Sequence, residues 1–147
     1  MQEKEEFKYT KYIITNAEPN DQHLDFMRTR LLFLDDNIIR GALAVNCVWY
    51  WKGSEIVTTE AHTHDCDEII AFIGTNPQDP HDLAGEVEIW LDGEKHILRK
   101  SCMVFAPKGF AHCPLIIRKA NNPIFHFTAK IKSGANLIQE RGNLQSR

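Results

Sequence analysis

His62-Thr63-His64-Asp65-Cys66-Asp67-Glu68 sets two imidazoles and a carboxylate at even positions of one short segment. On an extended backbone successive side chains alternate between faces, so positions 62, 64 and 68 point the same way. Downstream, Pro107-Lys108-Gly109-Phe110-Ala111-His112 is a Pro-x-Gly turn that runs directly into a histidine opening an apolar, strand-like run. A turn there brings the chain back and lets His112 complete a set with His62, His64 and Glu68. Three imidazoles and one carboxylate form a mixed nitrogen and oxygen donor set. Such a set suits Fe, Mn, Ni, Zn or Cu as a single divalent transition metal, with Fe or Mn favoured, better than Ca or Mg. The thiolate-rich sets of structural zinc are missing from this pattern.

The two segments resemble the paired motifs of the cupin superfamily. The first reads H-x-H-x(3)-E-x(5)-G through His62, His64, Glu68 and Gly74, and the second reads P-x-G-x-x-H through Pro107, Gly109 and His112. The chain departs from the family pattern at turn and packing positions: Ile56 and Ser101 stand where glycine is usual, and Ile116 where asparagine is usual. All four ligand positions match. The resemblance implies a cupin-type β-barrel, a jelly roll or double-stranded β-helix, and commonly a homodimer.

Bulk properties agree with one domain over residues 1–147, in which 1–10 form an N-terminal extension and 133–147 a loosely packed tail. A chain of 147 residues buries roughly two thirds of its unfolded surface. With 43% hydrophobic and 25% charged residues it has the composition of an ordinary globular protein. A net charge of -3 gives no basic field to attract nucleic acid or an anionic membrane surface. The charged start, Met1-Gln2-Glu3-Lys4-Glu5-Glu6, and the lack of any apolar run near the ~20 residues of a membrane span lead us to expect a cytoplasmic protein. Cys47, Cys66, Cys102 and Cys113 form no C-x-x-C pair, which fits reduced thiols. Cys66 shares even parity with the ligands. A bulge between the histidines and Glu68 would turn it into a small packing side chain, and that is the favoured reading.

Short β-branched and aromatic runs separated by turn signals continue along the whole chain. Strands are expected at an edge near Phe7–Ile14, then at 28–34, 44–51 and 69–74. A proline-rich loop, 75–82, follows, long enough to cover a barrel mouth or meet a partner subunit, although its His81 is expected to be solvated. Asp92-Gly93 between 86–91 and 94–98 is a hairpin signal. Further strands are expected at 102–106, 115–118 and 124–131. In the last of these His126 alternates with Phe125 and Phe127, and the two phenylalanines are expected to face the interior. No long helix and no βαβ alternation breaks the series, so the class is all-β, a barrel or a two-sheet sandwich.

Four protein ligands leave one or two positions on a five- or six-coordinate ion, which describes an open site. The expected function is therefore a metal-dependent oxidoreductase of dioxygenase type that acts on a small chelating substrate, with Glu68 doubling as a base. A redox-neutral lyase, isomerase or decarboxylase is the alternative within catalysis. A metal-binding or small-ligand sensing barrel is the alternative outside it.

Overall fold

The computed structural model describes residues 7–17, 27–58 and 60–130. The expected 133–147 tail and residues 1–6 of the extension lie outside the described residues. Nine strands follow in order: β1 (Arg28–Leu34), β2 (Ala44–Tyr50), β3 (Ile56–Thr58), β4 (Glu68–Gly74), β5 (Asp82–Leu91), β6 (Glu94–Lys100), β7 (Cys102–Ala106), β8 (His112–Ala120) and β9 (Ile124–Lys130). They build two antiparallel sheets, of order β1-β2-β9-β4-β7 and β3-β8-β5-β6. The all-β expectation holds. No helix among the described residues is long and apolar enough to cross a membrane.

Two layers form because each sheet has an apolar side to bury against the other. Val48, Tyr50, Ile70, Phe72 and Ile124 from the five-stranded sheet meet Val87, Ile89, Leu115 and Ile117 from the four-stranded sheet, all nearly or fully buried. At ~25 cal/mol per Å² of apolar surface, each such side chain contributes about 1.5–3 kcal/mol on burial.

The turns follow their sequence signals. Asp92 and Gly93 both adopt positive φ, 48° and 80°, as a two-residue hairpin between β5 and β6 requires. Gly74 is required by close approach: a Cβ there would lie 2.1 Å from the Asp82 carbonyl oxygen. Beside it, Ser101 accepts a hydrogen bond from the Gly74 amide at 2.8 Å and donates to the Pro80 carbonyl at 2.6 Å, so the hydroxyl ties the 75–81 loop to the sheet.

Three expectations change. The N-terminal aromatic run is not an edge strand, since Thr10–Tyr12 form a single 3₁₀ turn with exposed side chains. The 75–81 loop leaves from Gly74, at the end of β4 away from Glu68, about 20 Å along the strand at 3.4 Å per residue. The loop therefore does not cover the ligand set, while His81 is exposed, as expected. In β9 the interior side chain is His126, which is only 5% exposed, and not Phe125 or Phe127. His126 sits opposite the inward-facing Val48 and Phe72, and it gains a stack on Phe72 with centroids 4.7 Å apart. Its Nδ1–H donates to the Ala71 carbonyl at 2.9 Å, which satisfies the buried ring.

Candidate metal centre

Backbone pairing holds the two motif segments together before any side chain is considered. His62 and His112 form an antiparallel bridge, each amide donating to the other's carbonyl at 3.0 Å. The Gly109 amide donates to the His64 carbonyl at 2.9 Å, and the Lys108 amide donates to Asp67 Oδ1 at 2.9 Å. Gly109 takes a φ of 79°, which glycine adopts without steric penalty, and the Phe110 amide closes the turn on the Pro107 carbonyl. The segment from His62 to Glu68 is not one extended strand. It is irregular up to Asp67 and becomes β4 only at Glu68. The shared direction of the three side chains thus comes from the stitching to the Pro107–His112 turn and not from strand alternation.

The four predicted ligands converge. His64 Nε2 lies 3.1 Å and His112 Nε2 3.0 Å from Glu68 Oε2. The His62 ring centroid is 4.7 Å from that of His64 and 4.4 Å from that of His112. Glu68 and His112 are buried, while His62 and His64 are half-buried. Two imidazoles are already oriented: His62 Nδ1–H donates to the Glu60 carbonyl at 2.8 Å and His112 Nδ1–H to the Phe110 carbonyl at 3.2 Å. That fixes the tautomer and leaves each Nε2 as a lone-pair donor.

The donor set fits a cation. Glu68 Oε2 and His112 Nε2 are both buried without a hydrogen bond, because with Nδ1–H committed to Phe110 two lone pairs face each other across 3.0 Å. Unpartnered buried polar atoms are costly, and a cation between them removes the cost. Two donors on adjacent positions of an ion with ~2.1 Å bonds lie about 3.0 Å apart, which is the spacing these atoms keep. Burial lowers the His64 pKa, and nearby Lys130 adds to this while Glu68 partly opposes it. The neutral, ligating form is thereby favoured.

The set opens on a cavity of about 180 Å³ between the sheets. His126 lines it too, and burial pushes its pKa down to about 4. Cys66 belongs to neither group of donors that the fold brings within 4.8 Å of one another; Cys113 does, beside His62 and His112. Strand alternation would put Cys113, the neighbour of His112, on the opposite face of β8. Its φ of 76° breaks that alternation. Arg28, Arg30, Asn46 and Tyr50 also line the cavity, and no spacing pattern announced them.

No family model and no curated protein matches the chain. Solved structures resemble it at low identity. KdgF from Halomonas sp. is 18% identical, with 82% of this chain and 94% of that chain covered and a TM-score of 0.47. A cupin protein from Bacteroides fragilis is 22% identical over 78% of this chain and 86% of its own, with a TM-score of 0.47. A predicted oxalate decarboxylase from Thermotoga maritima is 16% identical over 71% and 77%, with a TM-score of 0.45. Likeness at this level says nothing of activity. Two antiparallel sheets that enclose a cavity, with His62, His64 and Glu68 of one motif meeting His112 of the other at its wall, give this chain the cupin-type β architecture that the two motifs imply.

Proposed function

We propose that the chain is a metal-dependent oxidoreductase of dioxygenase type, with His62, His64, Glu68 and His112 as ligands of iron or manganese and a small chelating molecule as substrate. The observation that carries this reading is the convergence of Glu68 Oε2 with the Nε2 atoms of His64 and His112 at 3.0–3.1 Å, without hydrogen bonds, on the wall of an open cavity. Bound there, such an ion supplies Lewis acidity and one-electron redox chemistry toward dioxygen.

The remaining work falls to the chain's own groups. His62 and His112 present fixed Nε2 lone pairs because their Nδ1–H groups are committed to carbonyls. Glu68 Oε2 accepts a proton from the substrate when it is not engaged as a ligand. Ile70, Ile89 and Leu115 form the apolar wall that excludes water from one side of the cavity. Redox-neutral chemistry on zinc is the second reading, favoured by the nearness of the Cys113 thiol to His62 and His112.

Elemental analysis of the purified full chain, followed by dioxygen-uptake assays on a panel of small chelating acids, alcohols and thiols, tests the proposal. About one iron or manganese per chain, with uptake that vanishes in His112→Ala, is expected. Stoichiometric zinc with no uptake after iron or manganese loading would move the protein to the redox-neutral reading, and turnover of nothing at all would make it a binding module.

The same reading includes a homodimer packed through the outer side of the five-stranded sheet. Ile69 and Phe105 are cross-strand neighbours there, as are Ala71 and Met103, and Met103 and Phe105 are 68% and 61% exposed in the single chain. An apolar patch of this kind ordinarily marks an interaction surface.

A further inference from the structure

Beyond the ligand set, the cavity is lined by Arg28, Arg30, Asn46 and Tyr50. Strand register accounts for the arginines: Arg28 lies opposite Tyr50 and Arg30 opposite Val48, and both partners face the core. A bulge between Arg30 and Leu32 then puts Phe33 on the same side, with Arg30 Cζ 5.9 Å from its ring centroid. Burial raises the Tyr50 pKa, and the neighbouring Arg28 charge partly opposes this. Among the described residues no carboxylate stands within ion-pair distance of either guanidinium. Burial, and then the like charge of Arg28, lower the pKa of Arg30. Two adjacent cations partly withdrawn from water, with no counter-charge among the described residues, leave a deficit that a bound anion fills. Asn46 Oδ1, buried and without a donor, shows that this part of the cavity is set for a polar occupant.

We infer that the cavity takes a small carboxylic acid, its carboxylate held by Arg30 with Arg28 behind it and its other end directed at His62, His64, Glu68 and His112. The planar guanidinium fork matches a carboxylate through two parallel hydrogen bonds. Across the five-stranded sheet the inward rows run from Arg30, Val48 and His126, through Asn46, Thr128 and Ile70, to Lys130 and Glu68. An acid anchored at Arg30 therefore reaches the ligand set by passing Asn46. At about 180 Å³, the cavity has the volume of about six waters at ~30 Å³ each, which limits the ligand to a short acid. The far end of the ligand rests on the metal reading above; the carboxylate end does not.

The test titrates succinate, succinamide and inorganic phosphate calorimetrically into the full chain, metal-loaded and metal-free, as wild type, Arg30→Gln and Arg30→Lys. Succinate is expected to bind at least tenfold more tightly than succinamide or phosphate in both metal states. Arg30→Gln should erase that preference and Arg30→Lys reduce it threefold or more, with the metal content of both variants unchanged. Equal affinity for succinate and succinamide, or an undiminished preference in Arg30→Gln, overturns the carboxylate site. Phosphate binding tighter than succinate overturns it as well. If Arg30→Gln loses its folded circular-dichroism signal, Arg30→Lys carries the test, and an unchanged preference there is the overturning result. A failed metal reading shows itself separately, as a chain that takes up no metal yet keeps the Arg30-dependent preference for succinate.

Discussion

On the five-stranded sheet, the inward side carries Arg28, Arg30, Asn46, Glu68 and His126 among its core residues, while the outward side carries Trp49, Ile69, Met103, Phe105 and Phe125. The other sheet has an outward side of the ordinary kind. There Glu88 accepts hydrogen bonds from Trp90 Nε1 at 2.8 Å and from Arg118 at 2.6–2.7 Å, with Lys95 at 3.4 Å, and these partners hold its carboxyl below the usual carboxylate range, Trp90 foremost. Glu88 itself is only 2% exposed, beneath Lys95 and Arg118, whose side chains reach water. Polar groups inside and exposed Ile69, Met103 and Phe105 outside are what the proposed ligand and the proposed dimer contact would each require of this sheet.

The strongest way to break this contrast is at the inward side. His112→Ala or His62→Ala is expected to abolish stoichiometric metal binding, read by elemental analysis after reconstitution; full metal content in both variants would mean that other residues are the ligands. On the outward side, Met103→Glu with Phe105→Glu sets two negative charges into the apolar patch. A dimer should become a monomer by analytical ultracentrifugation, with the fold retained. A wild-type chain that is already monomeric at high micromolar concentration would leave the outward aromatics without the proposed partner.

A third test sharpens the inward side through pH. His126 has a pKa of about 4 in the folded chain against 6.5 for an ordinary histidine, because burial disfavours its charged form and Arg28 adds to this, while the hydrogen bond to the Ala71 carbonyl opposes it. The unfolded chain therefore binds the proton first as pH falls. The contribution is complete above 6.5 and is lost on the way down to about 4, with a slope of up to ~1.4 kcal/mol per pH unit. Denaturant titrations of wild type and His126→Asn between these limits should differ by that slope, and parallel curves would show His126 to be solvated. The smallest effect belongs to the charged sheet. Arg99→Ala removes an exposed pair with Glu86, 3.3 Å apart, and should change stability by only ~0–1 kcal/mol. A larger loss in thermal melts would mean that this surface is not the plain solvated face it resembles.

Much of the candidate site was legible because its residue types stand at particular intervals. His62, His64, Glu68 and His112 could be named from spacing and from the Pro107–Gly109 turn, and Asp92-Gly93 announced its hairpin. What stayed hidden had no local signal. Alternation in β9 gave two faces but not their sense, and the greater hydrophobicity of Phe125 and Phe127 argued for the wrong one. Only cross-strand register, with His126 opposite Val48 and Phe72, settles it. Arg28 and Arg30 carry no local signal of a site, because the partner strand that turns them inward is 20 or so residues away. β3 spans only Ile56–Thr58, too short for periodicity to register.

The stitching between the Pro107–His112 turn and the segment around His62–Asp67 runs through backbone amides and carbonyls, together with the Asp67 carboxylate, and none of these bonds uses a ligating atom. The donors are therefore assembled by the fold itself, ahead of any ion. Little ordering entropy remains to be lost when an ion arrives, and none of the scaffold has to unfold when it leaves. On the proposed reading, such a centre would accept exchange as a lock accepts different keys cut to one blank. One protein, passing between iron-rich and manganese-rich surroundings, would keep its shape while its chemistry followed the supply.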